Sequence, residues 1–453
     1  MNRIILKYNK EISVIFALLL VVLILTSLNR FGDKAIILFS MLSIGVIISG
    51  AIIIKPFCGI LMIAALIPFE NYQVLPGVGL TSTKILGLIT LFSTIIHIIS
   101  SDIKGIKKSP IDVPLFCFLT ICFISIIPAE DKMKSIPCLI ALTSYTIIFY
   151  LTGTILDSKR KILIVTGVLF SSIILVSLLN IFQSFGIDFG LSLKKSIQWV
   201  GEKRVVRYSG SFLNPNRFVT IQIIAFGISA SFLGRLPLKL KPLLIVVGLI
   251  LLYSVYISYS RSAYLALTAI FLVYLFINAR RRLFFVIFLL VIAFWLLVAF
   301  LPESIMEHFH KGFSFEDTST RTRLQQYIAA LKIFPEHWLI GLGIGNQSST
   351  MIGRQVGFDL LDTGLHCLPF SILIETGILG FAAFAWLIMQ SALVLHRCFL
   401  KTEDRLMKGV FLGGILVLAG YMAHNLFHNF MYMSILGLTA GIYNAAYNVP
   451  DPS

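Results

Sequence analysis

Long apolar runs alternate with short polar turns from residue 11 to residue 448. Most runs extend over about 16 to 30 positions, and about 20 apolar residues in a helix cross the roughly 30 Å of hydrocarbon in a bilayer. Fourteen runs are present, at 11–28, 35–54, 57–68, 85–100, 113–128, 136–156, 162–182, 218–234, 242–260, 262–277, 283–300, 367–395, 409–427 and 431–448. The third is the shortest. The pattern predicts an all-α polytopic integral membrane protein of about 12–14 transmembrane helices. Two connections are long. They divide the chain into N-terminal transmembrane helices over 1–182, a basic loop over 183–216, central transmembrane helices over 217–300, a large loop over 301–366 and C-terminal transmembrane helices over 367–453.

Composition agrees with this reading. The chain is 57% hydrophobic and only 13% charged, whereas about a quarter of an average soluble domain is charged, which excludes a soluble enzyme. The net charge of +16 does not indicate nucleic acid, because the basic residues punctuate apolar runs as in loops facing anionic lipid headgroups. The six cysteines lie mostly in apolar segments without a C-x-x-C pair and read as packing residues. The first run follows Arg3, Lys7 and Lys10 and is long for a signal sequence, so it reads as a membrane helix.

Charge also orients the chain. With the N-terminus inside, the turns holding Lys104/Lys107/Lys108, Lys159/Arg160/Lys161, Arg235/Lys239/Lys241, Arg280/Arg281/Arg282 and Arg397/Lys401/Arg405/Lys408 are all cytoplasmic, as the excess of Lys and Arg in cytoplasmic loops requires. The two long loops then lie outside. The 183–216 loop carries Lys194, Lys195, Lys203, Arg204 and Arg207 against Asp188 and Glu202, and so short a basic loop on the outer side calls for an anion. In the 301–366 loop, Ser319/Thr320 can cap a helix in which Leu324, Tyr327, Ile328 and Leu331 form an apolar stripe, and Pro335 ends it. That helix is expected against the outer membrane surface or across the mouth of the bundle.

The densest polar group is Arg207, Gly210, Asn214-Pro215-Asn216 and Arg217, immediately before an apolar run. A turn with free backbone N–H groups at a helix N-terminus favours an anion, and flanking arginines bind phosphate bidentately. A capped helix entrance with arginines reaching lipid headgroups fits the same residues. Arg261 stands where two apolar runs meet almost without a loop, and an ionisable residue so near hydrocarbon faces the bundle interior or a wet cavity, or anchors at the interface. His366, at re-entry into the membrane, suits proton transfer near neutral pH, and Glu375 nine positions on needs a partner. Arg207, Arg217, Arg261 and His366 map to one membrane face.

Other motifs say less. His424 and His428 are one turn apart but lack the glutamate of a zinc hydrolase, so polar packing outranks a metal. Gly341, Gly343 and Gly345 follow no strand, so they predict a tight turn with close backbone approach. No external Asp-x-Asp pair points to a metal-dependent sugar transferase, though Asp359 and Asp362 leave a cation site open.

The ordered set Arg207, Gly210, Asn214-Pro215-Asn216, then Ser260-Arg261-Ser262, the arginine-bearing loop helix, Gly341, Gly343 and Gly345, His366, and Glu375 to Gly380 resembles the O-antigen ligase family, which also includes O-antigen and exopolysaccharide polymerases. The resemblance runs from about Arg207 to Tyr447. Cys367 follows His366 where that family often carries Asn. The resemblance implies transfer of a glycan from undecaprenyl diphosphate to a sugar hydroxyl at the periplasmic face of the bacterial inner membrane, among membrane lipids and without metal, nucleotide or other cofactor. The acceptor is the lipid A core for a ligase and another lipid-linked glycan for a polymerase. Arg207 and Arg261 would bind the diphosphate and His366 would sit near the attacking hydroxyl. Asn214, Asn216, Arg217, Arg321, Arg323 and Glu375 are further substrate-binding candidates. A transporter of lipid-linked sugar would place its polar residues near the midplane in repeated halves; here they lie at one edge. A non-catalytic glycan-binding protein is the remaining class.

Overall fold

A computed structural model describes residues 43–70, 73–75, 80–187, 189, 194–200, 203–278, 318–347, 365–431 and 433–449. The expected runs at 11–28 and 283–300 lie outside the described residues. Each of the other twelve runs contains a helix: α1 (Ser43–Ile54), α2 (Pro56–Leu66), α3 (Ser82–Ile99), α4 (Asp112–Ile124), α5 (Lys132–Ile155), α6 (Lys159–Ser184), α7 (Pro215–Leu233), α8 (Lys241–Tyr256), α9 (Arg261–Asn278), α11 (Leu368–Lys401), α12 (Arg405–Asn425) and α13 (Ser434–Asn448), with α10 (Thr318–Ile333) in the second long loop. The protein is a mostly α-helical, polytopic membrane protein. Eight of the described helices are long and apolar enough to cross a bilayer. Of the fourteen apolar runs, two lie outside the described residues, and α1, α2, α4 and α13 have fewer than 18 described residues each.

Packing follows the apolar surfaces. α13 lies along α5, α12 against α7 and α9, α11 against α4 and α12, and α2 against α3 and α6, around a core that includes Ile60, Ile63, Leu169, Ile173, Ile221 and Leu416. The basic turns meet at one end of this bundle. There the Lys107 N–H donates to Thr154 Oγ1 (3.2 Å), Lys159 pairs with Asp404, Arg405 donates to the Gly234 carbonyl (3.1 Å) and Asn448 to the Lys108 carbonyl (3.1 Å). Four of the five turns therefore gather at this end, and the fifth, 280–282, lies outside the described residues.

At the opposite end the 183–216 connection departs from the all-helical expectation. Its β-branched and aromatic positions form an antiparallel hairpin, β3 (Lys195–Val200) with β4 (Lys203–Tyr208), in which Ser196 faces Arg207. A smaller pair, β1 (Gln73–Leu75) with β2 (Leu80–Thr81), precedes α3. α10 forms as expected, and most of its apolar stripe faces away from the bundle. Leu324, Ile328 and Leu331 are exposed, whereas Gln326, Ala329, Ala330 and Ile333 are buried near Leu365 and Ile374. The small alanines permit close approach to the bundle, and the outward apolar stripe is the arrangement of a helix resting on a bilayer surface.

α11 is interrupted at Gly377 (φ 66°, ψ −170°), and the segment 338–345 fills the break. The Leu342 and Gly343 N–H groups donate to the carbonyls of Ile374 and Glu375 (both 2.9 Å), and the Ile378 N–H donates to the Trp338 carbonyl (2.8 Å). Backbone groups released by the break are thus satisfied by protein, as an apolar setting demands. A Cβ on Gly341 would lie 2.3 Å from the Glu375 carbonyl carbon, and one on Gly377 2.3 Å from the Leu339 carbonyl carbon. Gly377→Ala is expected to combine about 1–3 kcal/mol of backbone strain with about 1–3 kcal/mol of overpacking. The measurable outcome is a fall in inserted, monodisperse protein and in thermal midpoint; a wild-type midpoint would show that the clasp is dispensable.

Candidate functional site

Arg207 leaves β4 beside two other segments. The Tyr208 N–H donates to the Ile257 carbonyl (3.2 Å), and Gly210, at φ 55°, donates its N–H to the buried Asn180 Oδ1 (2.8 Å). The guanidinium is then held at two points: Nε donates to the Ser258 carbonyl (2.9 Å) and Nη2 to Asn216 Oδ1 (3.0 Å). Asn216 itself is set by the start of α7, where Asn214 is the N-cap, its Oδ1 accepting from the Asn216 N–H (2.8 Å), and Pro215 occupies the first turn.

Ser258 belongs to the turn between α8 and α9. Tyr259 adopts a left-handed conformation there (φ 49°), unusual for a bulky side chain, and the chain reverses directly into α9 with Arg261 as its first residue. Arg323 arrives from α10. One turn further along the same face, Tyr327 donates its hydroxyl to the His366 carbonyl (3.1 Å). The His366 ring stands perpendicular to that of His428, centroids 6.4 Å apart.

The electrostatics reflect this crowding. Burial, then the like charges of Arg261 and Arg323, push the Arg207 guanidinium down to about 10, so it remains charged at neutral pH. Burial, then Arg323, push His366 down to about 4, leaving it neutral. Burial, followed by His424, Arg323, His366 and Arg207, holds His428 well below the usual histidine range. Arg207, from β4, therefore lies within reach of the charges of Arg261 (α9) and Arg323 (α10), with neutral His366 and His428 beside Arg323, at the end of the bundle away from the basic turns. Such a concentration of fixed positive charge, beside two helix N-termini, is suited to a polyanion such as a diphosphate.

Residues 246–385 match the O-antigen ligase family, Wzy_C. The Wzy_C segment covers less than a third of the chain and carries Arg261, Arg323, His366 and the glycine clasp, while Arg207 lies outside it. No curated protein matches the chain.

Around the Wzy_C segment the remaining candidates separate. Arg207, Arg261, Arg323 and His366 come together, with Asn214 and Asn216 as Arg207's support. Arg217, in the first turn of α7, bears electrostatically on Glu70 and Tyr145. Glu375 lies apart from the arginines: its buried carboxylate accepts from the Gly345 N–H (2.8 Å) and holds the glycine clasp. Arg321 is in α10, but its side chain lies outside the described residues, as do Asp359 and Asp362. Among the described residues no group of three or more His, Cys, Asp or Glu side chains is arranged to hold a metal ion.

His424 and His428 pack as polar groups, in line with the expectation from their spacing, but that spacing did not reveal their partners, Asn216 and Ser262, which stand beside Arg207 and Arg261. Nearby, an apolar cavity of about 280 Å³ runs between α4, α5, α11, α12 and α13, from Pro110 and Tyr447 at one end to Tyr421 and Met431 at the other. Met431 adjoins Phe430, which stacks on His428 with centroids 5.0 Å apart.

Proposed function

We propose that the protein transfers a glycan from undecaprenyl diphosphate to a sugar hydroxyl of the lipid A core at the periplasmic face of the bacterial inner membrane, as an O-antigen ligase. The observation that carries this reading is the convergence of Arg207, Arg261 and Arg323 beside neutral His366. The gathering of basic turns at the other end supports a cytoplasmic position for that end, with 183–216 and 301–366 periplasmic.

In the proposed step the acceptor hydroxyl oxygen attacks the anomeric carbon as the bond from that carbon to the phosphate oxygen breaks. The hydroxyl proton passes to His366, undecaprenyl diphosphate departs, and in-line displacement inverts the anomeric centre. Negative charge grows on the leaving diphosphate, where guanidinium groups already in place stabilise it most. This role needs no metal or nucleotide, since the donor carries its own activated leaving group. The apolar cavity offers a place for part of the polyprenyl tail.

Purified protein given an undecaprenyl-diphosphate-linked repeat, with and without lipid A core, tests the proposal by mass analysis of products. Glycan on the core, formed only when core is present, is the expected result. Longer lipid-linked chains in both arms would make the protein a polymerase, and no transfer in either arm would overturn the enzymatic reading.

A further inference from the structure

Arg207 and Arg261 sit on segments that do not adjoin in sequence; the Ser258 and Ile257 carbonyls tie β4 to the turn before Arg261, and the end of α12 adds a second link. His424 lies in the last turn of α12 and His428 three residues beyond its end, and each touches the support of a different arginine. His424 Nε2–H donates to the main-chain carbonyl of Asn216 (3.1 Å), the residue whose side-chain oxygen receives Arg207. His428 Nε2 shares a hydrogen bond of 2.8 Å with Ser262 Oγ, and Ser262 directly follows Arg261. The two rings are 4.8 Å apart. The turn beyond them is fixed in its own right: the Phe430 N–H donates to Asn425 Oδ1 (2.9 Å), and Tyr421 donates its hydroxyl to the Phe430 carbonyl (3.2 Å).

We infer that His424 and His428 are positioning residues, a two-point clasp that sets Arg207 and Arg261 at the spacing a diphosphate requires. The inference rests on the reading that those arginines bind the donor diphosphate. The residue type makes physical sense. A lysine or arginine at either position would add to the like charge already present, and a carboxylate would compete with the ligand for the guanidinium groups. A neutral imidazole supplies hydrogen bonds while leaving the arginine field intact for the anion. Neither histidine touches the ligand in this scheme; both act through Asn216 and Ser262.

The test uses the full-length protein in lipid nanodiscs with inorganic pyrophosphate as the probe, read by calorimetry alongside the transfer rate. His424→Phe and His428→Phe keep a ring of similar size without its hydrogen bonds and should weaken pyrophosphate binding by roughly ten- to a hundredfold, the scale of losing an outer partner of a preorganised site. His428→Gln, which can still bond Ser262, should recover most of the loss. Ser262→Ala removes the same bond from the other side with little change in packing, so Ser262→Ala combined with His428→Phe should be no worse than His428→Phe alone. If the phenylalanine variants unfold, the Ser262→Ala and His428→Gln proteins still decide the matter: wild-type binding in Ser262→Ala, or no recovery in a folded His428→Gln protein, overturns the clasp. So do wild-type affinity in folded phenylalanine variants and strictly additive effects of Ser262→Ala and His428→Phe. Arg207→Ala and Arg261→Ala run in parallel. Unchanged binding in these would overturn the diphosphate reading beneath the inference, whereas loss in the arginine variants with none in the histidine variants overturns the clasp alone.

Discussion

Arg207→Ala and Arg261→Ala proteins are expected to insert and fold, and to lose about 100- to 1000-fold in glycan transfer each, the cost of removing one preorganised contact to charge that develops in the transition state. Folding should survive because Arg207 is held against the like charges of Arg261 and Arg323. Removing one of the three relieves repulsion, so the thermal midpoint should stay level or rise, the usual exchange between stability and activity at a charged site. Arg207→Lys should restore little. Lysine keeps the charge but cannot reach both the Ser258 carbonyl and Asn216 Oδ1 with a planar fork. The double variant should lose less than the product of the single losses, because the two groups act on one diphosphate. Steady-state rates with lipid-linked donor, read against melting curves, check all of this; near-normal transfer by either single variant would remove the arginines from the mechanism.

The parts of this molecule that could be read from sequence share a physical origin. Apolar runs became helices because hydrocarbon leaves the backbone no alternative. Arg207, Arg261 and His366 were assigned to one end by counting helices, a one-dimensional operation that needs no packing information. What escaped depends on contacts between distant segments. Asn216 meets His424 and Ser262 meets His428 across more than 150 residues, and nothing local to either partner announces the other. Arg207 and Arg217 flank one turn, and their spacing alone did not announce that the charge of Arg217 bears on Glu70. The stripe of α10 was legible, but which of the two expected settings it takes was not: Ala329 and Ala330 pack against protein while Leu324, Ile328 and Leu331 stay outward, as on a helix resting at a membrane surface. The glycines at 341, 343 and 345 announced a close approach, but the partner, a break in a helix some 35 positions later, emerges only in three dimensions.

His366→Ala should lower the turnover number by about 10² to 10⁴, the range for a general base, while pyrophosphate binding changes little, because the imidazole faces the acceptor in the proposed step. The pH profile separates this from a structural role. A base must be unprotonated to act, and in the free protein burial and Arg323 hold His366 at about 4. The acid limb of kcat/KM, which reports the free enzyme, should therefore lie near pH 4 and leave the value flat from pH 7 down to about 5. Donor binding brings negative charge among the arginines, offsets part of their field and favours the protonated imidazole, so the acid limb of kcat should shift upward toward the ordinary histidine range. The higher pKa, a weaker conjugate acid, also makes His366 a better base in the complex than in the free protein. Substitution by alanine should abolish both limbs. An acid limb of kcat/KM at the ordinary histidine value, or limbs that persist unchanged in His366→Ala, would assign the proton transfer to another group.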